Sequence, residues 1–142
     1  DVSKFPGVVL DDDKAELTGE WRRSGSIGPY VGDHYLTDGG DGKGPMSARF
    51  PIRVDKPGVY EIRLSYSPNG NRATNVPVTI RDADGPHSTR VDQRKKPAAE
   101  PFHPLGSFRL TPDAPGEVVV SNEGADGYVI VDAVQAVPAG GK

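Results

Sequence analysis

The sequence predicts an all-β fold, an antiparallel two-sheet β-sandwich of the jelly-roll type. Three observations support this prediction. Eighteen glycines and fourteen prolines in 142 residues interrupt the chain every few residues, which favours short strands over long helices. About nine segments, roughly ten residues apart, read as short strands, most with apolar residues at every second position. The last segment is apolar on both faces, as expected of a strand that is covered on both sides. A closed barrel is the alternative architecture.

Length and composition fit a single domain, which we place at residues 7–138, between a linker at residues 1–6 and a frayed tail at residues 139–142. Because the chain begins without Met, we interpret it as a piece of a longer protein. The absence of cysteine excludes disulfides, thiolate catalysis and zinc–thiolate sites. The net charge of −3 and the scattered Lys and Arg residues indicate neither a nucleic-acid partner nor a membrane partner.

The first four predicted strands lie in residues 7–66. Gly7–Leu10 is a short apolar run, and Ala15–Ser26 reads as an irregular strand. Residues 27–44 form a long loop rich in glycine and tyrosine, and loops of this length often carry function. Met46–Val54 and Val59–Tyr66 alternate apolar and polar residues, so each is predicted to be a half-buried strand.

Five further strands are predicted at residues 76–81, 87–93, 105–110, 118–120 and 128–137. The first two form a hairpin, because Asp84 and Gly85 supply the residue types that favour positive φ in tight turns. A proline-rich crossover at residues 94–104 separates this hairpin from the next strand. The early long loop and a central last strand are typical of a jelly roll.

Asp132 lies inside the apolar last strand. A carboxylate in such a place needs a cation, a metal or several backbone N–H groups, or it stays protonated. Arg72 lies in a polar loop, and a guanidinium matches a carboxylate with two parallel hydrogen bonds. We therefore predict an ion pair between Arg72 and Asp132 that ties this loop to the core. A ligand site at the pair is the alternative.

No catalytic constellation emerges from the residue types and their spacing. The three histidines, at positions 34, 87 and 103, are neither paired at i,i+4 nor part of H-E-x-x-H. No G-x-S-x-G segment occurs. Asp132 is a poor candidate for glycoside hydrolysis, because its neighbours indicate a buried strand rather than a cleft. The sequence therefore predicts a non-catalytic domain without a cofactor.

Aromatic and polar side chains offer a candidate sugar site. Flat aromatic rings stack on the apolar faces of sugars, while Asn, Asp and Arg bond to the hydroxyl groups. The predicted ligand-binding residues are Trp21, Tyr30, Tyr35, Arg72 and Asn75. For Trp21 and Tyr35 the alternative is a role as anchors of the core. Tyr30, which follows Pro29, is the best placed for exposure.

Seven segments, in this order and spacing, resemble the golvesin C-terminal-like domain, also described as a xanthan-lyase-type carbohydrate-binding-like domain. The resemblance runs from about Val8 to Val137. Its most specific parts are Asn71-Arg-Ala-Thr-Asn75 and Asp132-Ala-Val134. The segments are Leu10–Asp12, Ala15–Trp21, Tyr30–Tyr35, Pro57–Tyr60, Asn71–Pro77, Leu105–Phe108 and Asp126–Val134.

The resemblance implies a β-sandwich at the C-terminal end of larger secreted bacterial proteins, among them polysaccharide lyases and FAD-dependent oxidoreductases. It implies a non-catalytic module that binds polysaccharide, with a host catalytic domain in the same chain and an extracellular, cell-surface or periplasmic location. The alternative is a structural module that packs on its host without binding sugar. Family members often carry a Gln-Gln-x-x-Gly-Gly-x-Trp segment before the Leu-Gly pair, and here Phe102 is the only aromatic offered in its place.

The broader sandwich families of carbohydrate-binding modules often carry a structural calcium ion near their first and last strands. By that analogy, Asp11, Asp12 and Asp132 are the residues of this chain that would contribute oxygen ligands.

Overall fold

The structure, a computed structural model, describes residues 7–25, 31, 34–38, 46–97, 102–113 and 116–139. Within these ranges the chain forms twelve strands and one short 3-10 helix at Asp12–Lys14. The strands are β1 (Val8–Leu10), β2 (Glu16–Thr18), β3 (Arg22–Ser24), β4 (Tyr35–Thr37), β5 (Ser47–Ile52), β6 (Gly58–Ser65), β7 (Val76–Asp82), β8 (Gly85–Val91), β9 (Phe102–Leu110), β10 (Gly116–Ser121), β11 (Ile130–Val131) and β12 (Val134–Pro138).

These strands form two main sheets and a small third sheet. The main sheets have the strand orders β1-β12-β6-β9 and β2-β5-β10-β7-β8, and the small sheet has the order β11-β4-β3. Neighbouring strands pair antiparallel throughout the described residues. Each main sheet ends in edge strands, so the fold is an open sandwich and not a closed barrel. The predicted all-β antiparallel sandwich is confirmed, and the small third sheet is an addition to it.

Alternating side chains from the two main sheets build the core. In β5, Ala48, Phe50 and Ile52 are at most 1% exposed, while the residues between them are half-buried. Strands β7 and β10 show the same alternation, because successive side chains of a strand point to opposite faces. Ile62 and Leu64 of β6 contribute to the same core from the opposite sheet.

The predicted single last strand is in fact two strands in different sheets. Ile130–Val131 pairs with β4, whereas Val134–Pro138 lies between β1 and β6. The chain changes sheets at Asp132 and Ala133, where Ser65 replaces a regular ladder partner. The backbone N–H of Ser65 donates to the Ala133 carbonyl (2.8 Å), and the Ser65 hydroxyl accepts from the Ala133 N–H (2.8 Å). This segment is buried on all sides, as its two-sided apolar pattern predicted.

The sequence pattern also failed to resolve the short strands in two other regions. The predicted irregular strand at residues 15–26 is divided into β2 and β3, which belong to different sheets. The predicted loop at residues 27–44 contains β4, which pairs with both β3 and β11. A three-residue strand is too short to show a period of two.

The predicted linker at residues 1–6 lies outside the described residues, as do residues 140–142 of the predicted tail. Ala139 is still tied to the sheet, since its N–H donates to the Val59 carbonyl (2.8 Å). The described part of the chain contains no helix with the length and apolar character needed to cross a membrane.

Candidate functional site

Arg72 is the centre of a buried hydrogen-bond network. Its side chain is only 2% exposed, and its Nε donates to the Ser67 carbonyl (2.9 Å). Its Nη2 donates to both the Ser67 hydroxyl (2.8 Å) and the Tyr35 hydroxyl (3.3 Å), and its Nη1 donates to Asn71 Oδ1 (2.9 Å). The guanidinium also lies over the Tyr35 ring, 5.6 Å from its centre. Arg72 therefore ties its loop to the core, as expected, but through Ser67 and Tyr35.

The predicted ion pair between Arg72 and Asp132 is wrong. Asp132 Oδ2 instead accepts from the backbone N–H of Val31 (2.6 Å). Arg72 pairs with Tyr128 in an isolated parallel bridge, and four extended residues separate Tyr128 from Asp132 by roughly 13 Å. An arginine side chain that is already engaged beside Tyr35 does not span that distance.

Asp132 instead joins a carboxylate cluster with Asp11 and Asp12, in which one oxygen of each residue lies within 4.8 Å of the others. The strand register explains the meeting. Leu10 pairs with Val134, so the antiparallel path brings the residues after β1 opposite the residues before β12. Asp11 Oδ1 accepts from the Asp12 N–H (2.8 Å) and caps the 3-10 helix, and that helix holds Asp12 against Asp132.

Burial makes the charges of this cluster unfavourable. It raises the pKa of Asp12 from 3.8 to about 7, with the nearby Asp11 charge adding to the shift. His34 acts against it, since its Nε2 lies 3.0 Å from Asp12 Oδ1. Burial also raises the pKa of Asp132 to about 8, against the effect of the Val31 N–H. Neutral pH therefore leaves the Asp132 carboxyl largely protonated in the metal-free protein.

Two oxygens of the cluster, Asp12 Oδ2 and Asp132 Oδ1, are buried and accept no hydrogen bond from the described part of the chain. Their residues are 4% and 0% exposed. Buried carboxylate oxygens without donors are costly unless a proton or a cation compensates them. Hard divalent cations prefer carboxylate oxygens, so the donor set of Asp11, Asp12 and Asp132 fits a calcium ion.

Two of the predicted aromatic ligand residues are structural. Tyr35 is 2% exposed, so the prediction that it contacts a ligand is wrong. Trp21 packs against the core, and its indole N–H donates to the carbonyls of Thr18 and Ser47 (3.1 Å each). Both residues have the role of core anchors, which the sequence left open. Tyr30 lies outside the described residues.

The other predicted contacts are also used within the fold. Arg72 is buried, so the prediction that it binds a ligand is wrong. The Asn75 amide joins two loops, because its Nδ2 donates to the Gly124 carbonyl (3.0 Å) and its Oδ1 accepts from the Asp126 N–H (3.1 Å). Phe102, the aromatic that replaces the family tryptophan, is 2% exposed and packs with Val31 and Ala133.

The structure exposes an aromatic residue that the sequence placed at the start of the last predicted strand. Tyr128 is 38% exposed. Its N–H donates to the Asn71 carbonyl (3.0 Å), and its carbonyl accepts from the Ala73 N–H (2.8 Å). The neighbouring exposed polar residues are Asn71, Thr74 and Asp126, and we call these three and Tyr128 the Tyr128 surface. The polar turn directly before Tyr128 was the signal that this residue starts at the surface.

The chain matches the model of the golvesin C-terminal domain over residues 8–138. It belongs to the golvesin C-terminal domain family. This match confirms the family resemblance that the sequence motifs indicated.

Two xanthan lyases are similar to this golvesin domain. The xanthan lyase of Bacillus sp. (strain GL1) is 32% identical over 143 residues, which cover 96% of this chain and 15% of that protein. The solved structure of Paenibacillus xanthan lyase superposes with a TM-score of 0.85 at 27% identity, over 92% of this chain and 13% of that chain. The domain therefore corresponds to a small part of each of these proteins.

A family 35 carbohydrate-binding module from Clostridium thermocellum has the same fold. It superposes with a TM-score of 0.55 at 10% identity, over 92% of this chain and 94% of that chain. Identity this low shows the fold alone.

Proposed function

We propose that this golvesin domain is a non-catalytic accessory module that binds polysaccharide for a larger secreted bacterial protein. The observation that carries the proposal is the exposed residue Tyr128, whose backbone pairs with Asn71 and Ala73 near the exposed polar residues Thr74 and Asp126. A flat ring of this kind stacks on a sugar while nearby polar groups bond to its hydroxyls. A shallow site binds weakly by itself and gains affinity through multiple contacts with a polymer.

The comparisons support an accessory role. A relative named xanthan lyase extends far beyond the match, which covers 15% of its length, and this leaves ample chain for a separate catalytic domain. The family 35 module, in contrast, corresponds to the domain almost entirely. We accordingly propose a host catalytic domain in the same protein and an extracellular, cell-surface or periplasmic location.

One feature favours the second candidate function, a structural module that packs on its host without binding sugar. A groove of about 240 Å³ lies at the end of the sandwich where the described chain begins and ends. Besides the charged Asp55 and Lys56, the residues that line the groove are Gly7, Val8, Val54, Tyr60, Ala136 and Pro138. The mostly apolar lining suits a protein neighbour.

Affinity electrophoresis and a glycan array of the 142-residue chain distinguish the two candidates. We expect at least one polysaccharide to retard the wild type, and Tyr128→Ala to weaken this binding about tenfold through loss of a stacked ring. The matched control is Val59→Ala, because Val59 is 50% exposed and lies at the end of β6 far from the 66–75 loop. Tyr30→Ala tests the site predicted from sequence.

Each outcome has a clear meaning. Weakening by Tyr128→Ala alone supports the Tyr128 surface, whereas weakening by Tyr30→Ala alone moves the site to the long early loop. No retardation by any polysaccharide in the panel contradicts sugar binding and leaves the structural module.

We also propose that the cluster of Asp11, Asp12 and Asp132 binds a structural calcium ion. The support is the pair of buried oxygens without partners, Asp12 Oδ2 and Asp132 Oδ1. A divalent cation supplies the positive charge that these carboxylates lack, and it would link the end of β1 to the start of β12. The proposed role is to stabilise the fold, with no part in a reaction.

Thermal unfolding in EDTA and in increasing calcium tests this proposal. Because a ligand of the native state stabilises it by mass action, we expect the Tm to rise with calcium concentration. Asp11→Asn, which keeps the cap but removes a charge, should weaken the rise. The exposed neighbour Asp13 supplies the control, Asp13→Asn. An unchanged wild-type Tm at millimolar calcium contradicts the site.

A further inference from the structure

We propose that the sugar recognised at the Tyr128 surface carries a carboxylate, and that Arg94 binds it. This inference rests on the proposed function and adds the chemical class of the ligand. It starts from the position of Arg94, which is exposed and follows Gln93 at the end of the β7–β8 hairpin segment.

Arg94 is held in place by only part of its side chain. Its Nε donates to the Arg72 carbonyl (2.6 Å), and its backbone N–H donates to Asp92 Oδ1 (3.0 Å). Its two terminal nitrogens have no ion pair or hydrogen bond with any described residue. The guanidinium is therefore held through Nε, and its two terminal nitrogens remain available to a ligand.

Arg94 and Tyr128 flank the same stretch of backbone. The Tyr128 backbone bonds to the Asn71 carbonyl (3.0 Å) and the Ala73 N–H (2.8 Å), and Arg94 Nε donates to the Arg72 carbonyl between them (2.6 Å). Successive peptide groups of an extended segment point to opposite edges, so the Arg94 guanidinium lies at the other edge of this segment, roughly 10 Å from the Tyr128 backbone. A polysaccharide whose ring stacks on Tyr128 thus passes within reach of Arg94 with the same or the next sugar.

Arg94 forms no ion pair with a described residue, whereas Arg49 pairs with Glu117 (2.6 Å) and Arg109 pairs with Asp84 (2.6 Å). Hydrogen bonds from Thr74 lower the pKa of Asp126, and the nearby charge of Arg94 adds to this shift. Asp126 is the acidic member of the Tyr128 surface, but its carboxylate accepts from the N–H of Thr74 (2.7 Å) and from the Thr74 hydroxyl (2.5 Å). A free guanidinium edge matches the two oxygens of a carboxylate, whereas a neutral sugar offers only hydroxyl groups.

Polysaccharides that differ only in their carboxylates test the inference. Affinity electrophoresis of the 142-residue chain compares polygalacturonate, alginate and xanthan with their carboxyl-reduced forms, and with dextran as a neutral polymer. We expect retardation by at least one carboxylated polymer and at least tenfold weaker binding to its reduced form. Added salt should weaken the binding to the carboxylated form, because it screens exposed charges.

The variant Arg94→Gln separates recognition from a structural effect. A loosened loop would weaken binding to both forms equally, whereas loss of a carboxylate contact should bring the ratio between the two forms close to one. Arg94→Lys should restore part of the ratio. Arg53→Gln is the control. Arg53 is exposed and follows β5 at the end away from the turn that leads from β10 to Tyr128.

The results also separate this inference from the proposed function. Equal binding to a carboxylated polymer and its reduced form, or binding to dextran alone, overturns the carboxylate contact while sugar binding stands. An unchanged ratio in Arg94→Gln overturns the role of Arg94. Absence of binding to every polymer overturns both proposals together.

Discussion

Asp132 is a residue whose charge the fold opposes when no metal is bound. Asparagine has the same shape and still accepts the Val31 N–H bond, but it removes the buried charge. We therefore expect Asp132→Asn to raise the free energy of unfolding by about 2 kcal/mol in EDTA at pH 8. The same variant should lose the stabilisation by calcium. Denaturant titrations in EDTA and in calcium measure both effects, and a variant that is less stable in EDTA contradicts the electrostatic account.

Single residues also show how far the sequence could predict the site. The sequence indicated that Asp132 needs compensation and that Arg72 ties a loop to the core. It did not indicate their partners, because Arg72 is satisfied within its own loop and by Tyr35. The exposure of Tyr128 was also hard to predict. Tyr128 reads as the first residue of an apolar strand, and the polar turn before it is the sequence signal of its 38% exposure.

At the scale of elements, Gln93 connects β11 to the end of the β7–β8 hairpin segment. Its Nε2 donates to the Ile130 carbonyl (2.9 Å) and its Oε1 accepts from the Ile130 N–H (2.8 Å). The side-chain amide thus makes the two backbone hydrogen bonds that a neighbouring strand would make. The side chain is 0% exposed. The small sheet therefore depends on a side chain as well as on strand pairing.

We expect Gln93→Leu to lower the free energy of unfolding by about 2–4 kcal/mol, because it leaves two buried backbone groups of Ile130 without partners. Chemical denaturation measures the loss, and hydrogen exchange of the Ile130 amide reports it locally. Ala125→Ser, a change of a half-buried turn residue outside this contact, is the control. Unchanged stability together with unchanged Ile130 protection contradicts the role of Gln93.

How well each strand was predicted from the sequence depends on its length. Strands β5, β6 and β7 have six to eight residues, and their alternation was evident in the sequence. Strands β3, β4 and β11 have two or three residues, too few to show a period. They form because tertiary contacts pair them, and such contacts leave no pattern in the local sequence.

At the scale of the whole molecule, the fold class and the family followed from turn residues, alternation and motifs. The carboxylate cluster did not follow from any of these, since Asp11 and Asp132 are brought together by the register of β1 and β12. From the sequence, the proximity of these residues was inferred only by analogy with carbohydrate-binding modules. Their raised pKa values have a consequence for the stability of the entire domain.

We expect the metal-free domain to lose stability as the pH rises from 6.5 to 8. The native pKa values of Asp12 and Asp132 are about 7 and about 8, against 3.8 in the unfolded chain. In this window the native state therefore binds more protons than the unfolded state, and the free energy of unfolding falls by about 2 kcal/mol. Below pH 6.5, burial of His103 lowers its pKa and acts in the opposite direction, which makes the upper window the clearer test.

Denaturant titrations in EDTA at several pH values measure this slope. Asp132→Asn should flatten most of it, because the variant lacks the group with the higher pKa. Saturating calcium should flatten it in the wild type, since a bound cation favours the charged carboxylates and lowers their pKa values. A metal-free wild type that becomes more stable between pH 6.5 and 8 contradicts a buried cluster that holds protons. A slope that calcium leaves unchanged contradicts binding of the ion at these three carboxylates.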